Sequence, residues 1–234
     1  MIINSMISTK DDLTAVEVIS SVASFEGLDA TALETLARAA TRKEFAADQV
    51  VFLEGEPCAG LYVVQSGWLK SVKTSPSGRE QVMRFVGPGE VFNEIGVLVG
   101  DANLVTVIAL EPAIVWIIRR DTLLQLMDEH PGLARIITQN LARRMLHLIS
   151  LVEDLSLRTV EARLARVLLE QSTEGVLHRR RWTTQAEMAS RLGTVPDVLN
   201  RALRSLVEEG LIQMERHQIQ ILDRLGLETK AVLD

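Results

Sequence analysis

Four side chains at one spacing carry the most legible chemistry in this sequence. Asp197, Asn200, Arg201 and Arg204 stand at i, i+3, i+4 and i+7, which places them on one face of a helix. An arginine can give two parallel hydrogen bonds to guanine, an asparagine can pair with adenine, and an aspartate can accept from the cytosine amino group. Between them run Val198, Leu199, Ala202, Leu203 and Leu206, an inward apolar face. Just ahead, Thr184-Gln185-Ala186-Glu187 has the spacing of a capping box, and Met188, Ala189 and Leu192 give that first short helix its apolar side. Gly193 supplies a tight turn, and Thr194 or Val195 opens the second helix with Pro196 in its first turn. Residues 182–212 therefore read as a helix-turn-helix. The second helix reads base edges, while its N-terminus and the hydroxyls of Thr184 and Thr194 meet phosphates. The DNA-contacting set on this reading is Thr184, Gln185, Thr194, Val195, Asp197, Asn200, Arg201 and Arg204. Gly210-Leu211-Ile212 and Ile219-Gln220-Ile221, on either side of Arg216-His217, predict a closing β-hairpin that acts as a wing. The alternative is a plain helical hairpin with a salt-bridged surface.

The elements that must position these residues follow from changes of period along the chain. Leu28, Ala32, Leu33, Leu36 and Ala40 keep a helical spacing, with Asp29 as N-cap. From Glu44 to Ile118 the pattern becomes short β-rich runs, such as Val50–Leu53, Leu61–Val64 and Val82–Val86. Eight of the 14 glycines fall between Gly55 and Gly100, where reversals need positive φ. These features predict a roll or sandwich of short strands. Between Leu133 and Leu157, Leu141, Met145, Leu148, Val152 and Leu155 are spaced 4, 3, 4, 3, an a/d seam flanked by Arg143, Arg144, Glu153 and Asp154. A helix of ~25 residues is ~37 Å long, more than a small domain needs, so the seam predicts pairing with a second copy of the chain.

Composition bounds the class. At 234 residues, 47% hydrophobic and 24% charged, the chain is globular and long enough for two modest domains. One cysteine excludes an internal disulfide, a multi-thiolate zinc site and a four-cysteine iron–sulfur cluster. No apolar run approaches the ~18 to 20 residues of a membrane span, and Met1–Lys10 lacks the features of a signal peptide, so a cytoplasmic location is expected. The net charge of −6 conceals an asymmetry. Residues 1–157 hold 13 Lys+Arg against 20 Asp+Glu, a balance of −7, whereas 158–234 hold 12 against 11, a balance of +1. In the second part Arg179, Arg180, Arg181, Arg191, Arg201 and Arg204 cluster. A metal-holding enzyme with a cupin-like roll would need a His-containing ligand cluster, and residues 44–118 contain no histidine. No enzymatic activity is expected.

From about Phe25 to Leu222 the chain resembles the CRP/FNR family of bacterial transcription regulators. The marks are Phe52-Leu53-Glu54-Gly55-Glu56-Pro57, Leu61-Tyr62-Val63-Val64-Gln65-Ser66-Gly67 and Gly87-Pro88-Gly89-Glu90-Val91-Phe92, followed by the long helix and the winged helix-turn-helix. The resemblance implies an α+β chain with three parts. They are a cyclic-nucleotide-binding-like β-roll with N-terminal helices (1–132), a dimerisation helix (133–157) and a winged helix-turn-helix (158–234). It further implies a homodimer on a two-fold symmetric operator in double-stranded DNA, with RNA polymerase and a small-molecule effector as partners and no membrane. In the recognition helix, the family's acidic, small polar and arginine positions correspond to Asp197, Asn200 and Arg201.

The sequence departs from the family at the nucleotide pocket. Where the family has Gly-Glu and, about nine residues later, Arg-Ser/Thr-Ala, this chain has Asn93-Glu94 and then Asn103-Leu104. Losing the cation and the hydroxyl removes the charge-assisted bonds that a cyclic phosphate needs. The polar pair on the long helix is replaced by Leu148 and Ile149. The expected pocket comprises Asn93, Glu94, Asn103, Leu104, Met145, His147, Leu148 and Ile149, apolar and taking an effector other than cyclic AMP. A different metabolite, no ligand at all, or haem held by His147 or Met145 for NO or CO sensing all remain open. So does a ligand-binding interaction module without DNA binding.

Overall fold

The computed structural model describes residues 13–100, 102–178, 183–215 and 217–232. Contacts divide the chain into one unit of Met1–Lys73 with Arg84–Arg144, and another of Thr74–Met83 with Met145–Asp234. This division differs from the expected boundaries at 132 and 157, because it falls inside the long helix. Only the N-terminal half of that helix has buried side chains, Leu133, Ile136, Ile137 and Asn140.

Local signals start the first unit. Thr14 and Glu17 form a capping box at α1 (Ala15–Ser20), and Asp29 Oδ1 accepts from Ala32 N at 2.8 Å to begin α2 (Ala30–Ala39). There follow β1 (Ala40–Phe45), β2 (Val50–Phe52), β3 (Gly60–Ser66), β4 (Leu69–Thr74), β5 (Glu80–Val86) and β6 (Val91–Phe92). Then come α3 (Glu94–Val99), β7 (Thr106–Ala109), β8 (Ala113–Arg119), α4 (Arg120–Glu129) and α5 (Pro131–Leu157). The long helix starts two residues before the expected Leu133, since Pro131 has the φ a first helical residue needs and lacks only an N–H that would go unbonded there.

Two four-stranded sheets run in the orders β1-β8-β3-β6 and β2-β7-β4-β5. The strands β3 and β8 read as continuous apolar runs because both of their faces are buried. Leu61, Val63 and Ile118 pack with the helices, against Ile19, Leu36, Leu123 and Ile137. The alternate residues Tyr62, Val64, Val115 and Ile117 pack between the sheets, with Phe52 and Phe92. Gly67 turns β3 into β4 at φ +81°, where a Cβ would stand 2.5 Å from the Pro112 carbonyl oxygen.

The second unit contains α6 (Val160–Gln171), β9 (Val176–His178), α7 (Gln185–Arg191), α8 (Pro196–Glu208), β10 (Ile212–Met214), β11 (Gln218–Ile221) and α9 (Arg224–Lys230). Leu164, Leu168, Leu199, Leu203, Leu206 and Ile219 form its core. The sheet order β10-β11-β9 gives the wing a third strand that the sequence reading did not contain. No helix among the described residues is long and apolar enough to cross a membrane. The α+β organisation of β-roll, long helix and winged helix-turn-helix is thus the one found.

Candidate nucleic-acid interface and sensing site

Each helix of the helix-turn-helix begins where its local chemistry requires. Thr184 Oγ1 accepts from Glu187 N at 3.1 Å, the first half of the expected capping box at α7. That bond uses a lone pair and leaves the hydroxyl hydrogen to donate. The turn runs through Gly193 at φ +64° and is closed by Thr194 N donating to Ala189 O at 2.9 Å. Val195 is the N-cap of α8, makes no side-chain capping bond, and is followed by Pro196. Pro196 has no N–H and Val198 N donates to Val195 O at 3.1 Å, so the amide left for an anion in the first turn of this 13-residue helix is that of Asp197.

The inward and outward faces of α8 divide as the spacing requires. Leu199, Ala202, Leu203 and Leu206 are buried and Val198 is half-buried, while Asp197, Arg201 and Arg204 are exposed. Neither Arg201 nor Arg204 has an ion-pair partner among the described residues. Asn200 is half-buried and donates from Nδ2 to Gln185 Oε1 at 3.3 Å, which joins two of the expected DNA-contacting residues across the helix pair. In the wing, Ile212 pairs with Ile221 and Ile219 with Leu177. The basic run Arg179–Arg181, Trp182 and Arg216 lie outside the described residues.

The expected effector residues fall into two groups. Asn93, at φ +73° before α3, directs Nδ2 to Gly60 O and Asn103 Oδ1, each at 3.1 Å, and to Cys58 Sγ at 3.3 Å. Asn103 is buried, donates from Nδ2 to Leu53 O at 3.4 Å, and donates its backbone N–H to Glu56 O at 2.8 Å. The two asparagines are thus bonded to each other. Leu104 is exposed.

Glu94 is buried and accepts from Arg144 Nη2 at 2.6 Å and Nε at 3.0 Å, and Arg144 Nη2 also donates to Val91 O. This corrects two expectations. The expected pocket residues of this unit are polar and paired with one another or with Arg144 rather than lining an apolar space, and Arg144 is part-buried rather than a solvated flank of the seam. Burial lowers the Arg144 pKa, against the opposing charge of Glu94. A signal was present in the sequence: Arg144 continues the row of Ile137 and Asn140 at i+7 and i+4, the buried side of α5.

Met145, His147, Leu148 and Ile149 belong to the second unit and are exposed on α5, with His147 Nε2 3.4 Å from Met83 O. The structure therefore does not bring the eight expected pocket residues into one unit. Met145, Leu148, Val152 and Leu155 of the seam are exposed apolar side chains, whereas Leu141 packs on the first core. Leu146, Ile149 and Leu157 widen the exposed surface beyond a strict a/d line.

Comparison with known proteins agrees with this geometry. Residues 42–130 match the cyclic nucleotide-binding domain and residues 162–230 the Crp-like helix-turn-helix domain. The chain is 26% identical over 221 residues to the CRP-like cAMP-activated global transcriptional regulator of Mycobacterium tuberculosis, covering 92% of this chain and 99% of that protein. It is 31% identical over 184 residues to the "Probable transcriptional regulator flp" of Lacticaseibacillus casei, covering 76% and 82%. The fold is shared with FixK2 from Bradyrhizobium japonicum, at a TM-score of 0.73 and 24% identity, over 82% of this chain and 98% of that one. These relatives are transcription regulators rather than enzymes. With its polar recognition face, its wing and both matched domains, the chain belongs to the CRP/FNR family and is a DNA-binding transcription regulator.

Proposed function

We propose that this regulator acts as a homodimer on a two-fold symmetric operator, that its β-roll answers a small effector other than cyclic AMP, and that the bound dimer recruits or blocks RNA polymerase in the cytoplasm. The observation that carries the DNA-reading part is the exposed face of Asp197, Arg201 and Arg204 on a helix whose opposite face is core. Phosphates would be met by the Thr184 hydroxyl, Gln185, Thr194 and the Asp197 N–H that follows Val195 and Pro196 at the start of α8. Dimerisation is supported by the exposed apolar stripe of Met145, Leu148, Val152 and Leu155, and a helix-turn-helix dimer calls for two half-sites about 34 Å apart. An effector other than cyclic AMP is supported by Asn103, which supplies no cation and is already bonded to Leu53 O and Asn93. A haem ligand sits in an enclosed apolar site, and the exposed His147 and Met145 lend that alternative no support.

The test is fluorescence anisotropy with a duplex selected from a randomised library. Arg201→Ala should weaken binding by ~1 to 3 kcal/mol, about 5- to 150-fold, and relax selectivity at one base position. Wild-type affinity and selectivity in that variant would remove α8 as the reading helix. Affinity that falls steeply with salt supports phosphate neutralisation, and a flat salt dependence favours the interaction module instead.

A further inference from the structure

A cleft of about 570 Å³ lies in the first unit, where β1 and β8 meet the Pro57–Ala59 turn and the start of α4. That volume suits a small molecule. Its wall holds three cations, Lys43, Arg119 and Arg120, against one carboxylate, Asp121. The strand register sets this composition. Thr41 pairs with Ile117, Lys43 with Val115 and Arg119 with Gly60, so all of them share the sheet face that carries the inter-sheet core. The cations therefore stand beside an apolar floor at Ile117. A Cβ at Gly60 would lie 2.0 Å from Ile118 O, so only glycine lets β3 close on β8 at this point.

The three cations are not equivalent. Arg120 is used within the protein, with Nε donating to Val97 O at 2.9 Å and Nη1 to Asp121 Oδ1 at 3.4 Å. Lys43 and Arg119 have no ion-pair partner among the described residues. Both are exposed side chains on paired strands, so an anion that meets them displaces water rather than an existing ion pair. The half-buried Cys58 lines the same cleft and touches Asn93, the residue before Glu94, whose carboxylate is paired with Arg144 on α5.

We infer that this cleft, rather than the internally paired Asn93–Asn103 site, binds the effector, a small organic anion whose carboxylate or phosphate meets Lys43 and Arg119 while its apolar part lies on Ile117. The effector role rests on the regulator proposed above, but binding in the cleft does not.

Cys58 is the one cysteine of the chain, so its alkylation by neutral iodoacetamide reports on the cleft. Burial raises the thiol pKa, so the reaction is run at one fixed alkaline pH. Phenyl phosphate and citrate are the probes, with sodium chloride at matched ionic strength as control. At saturation either probe should slow alkylation at least threefold while chloride does not. Lys43→Ala and Arg119→Ala should each need about tenfold more probe for half-protection, whereas the surface variant Arg38→Ala should behave as wild type. Equal rates with probe and chloride, or protection unchanged in both variants, would overturn the site. The saturating probe should also shift the affinity for the selected duplex at least threefold. Protection without that shift would overturn the effector role alone. Absence of duplex binding under every condition would count against the regulator, while protection would still decide the site.

Discussion

At the scale of single residues, Tyr62 shows how one position in a run of apolar letters acquires its own chemistry. It is the only tyrosine in the chain, and it stacks on Phe92 at 4.9 Å and lies 5.2 Å from Phe52. Burial pushes its phenol up to about 12, with smaller contributions from the charges of Cys58 and Glu56. Absorbance at 295 nm should therefore show one titration centred near pH 12 in the native protein and near 10 once unfolded. Between those values the unfolded chain has released a proton that the native state retains, so stability should fall as pH rises across that window. A native midpoint near 10 would mean that the inter-sheet core admits water. The short β-rich run of residues 61–64 marked a strand, but its neighbours on either face come from distant parts of the chain. The functional residues divide in the same way. Arg201 and Asp197 were legible because their role depends on spacing along one helix. The helical row of Ile137 and Asn140 marked Arg144 as facing inward, but not its partner, because Glu94 is 50 positions away.

At the scale of elements, α5 is one helix with two environments. Its first half is packed into the β-roll core, and its second half carries exposed apolar side chains. The Arg144–Glu94 pair marks the end of the buried half and ties α5 to α3. Removing one member leaves a buried charge without its partner, which typically costs several kcal/mol, more than the intact pair contributes relative to an apolar replacement. Arg144→Met should therefore destabilise the protein by ~3 kcal/mol in urea unfolding, and Glu94→Met with Arg144→Met should recover most of that loss. Equal destabilisation in the single and double variants would show that the methylenes of Arg144, not its charge, matter. The heptad spacing of α5 was visible in the sequence. Which half of the helix is covered was not, because burial depends on where the two sheets end.

At the scale of the whole molecule, the stripe on α5 supplies the apolar surface that a second copy would cover. Val152→Glu places a charge in the centre of that stripe, and if the proposed dimer forms through it, sedimentation velocity should show a dimer for the wild type and a monomer for this variant. Affinity for the selected duplex should fall with it, since a monomer can engage only one half-site. A dimer that persists unchanged in this variant would place the contact elsewhere. By itself the sequence determined the helix-turn-helix, the hairpin of the wing, the capping residues of α2 and α7 and the C-terminal end of α5, because each follows from local spacing and local hydrogen bonds. The tertiary structure alone decided that Asn93 bonds Asn103 and that Glu94 pairs with Arg144. It also decided that Lys43 and Arg119 share one cleft. Glu94 and Arg144 are 50 positions apart, and Lys43 and Arg119 come to one cleft because β1 pairs with β8, so tertiary packing and not local spacing brings each pair together.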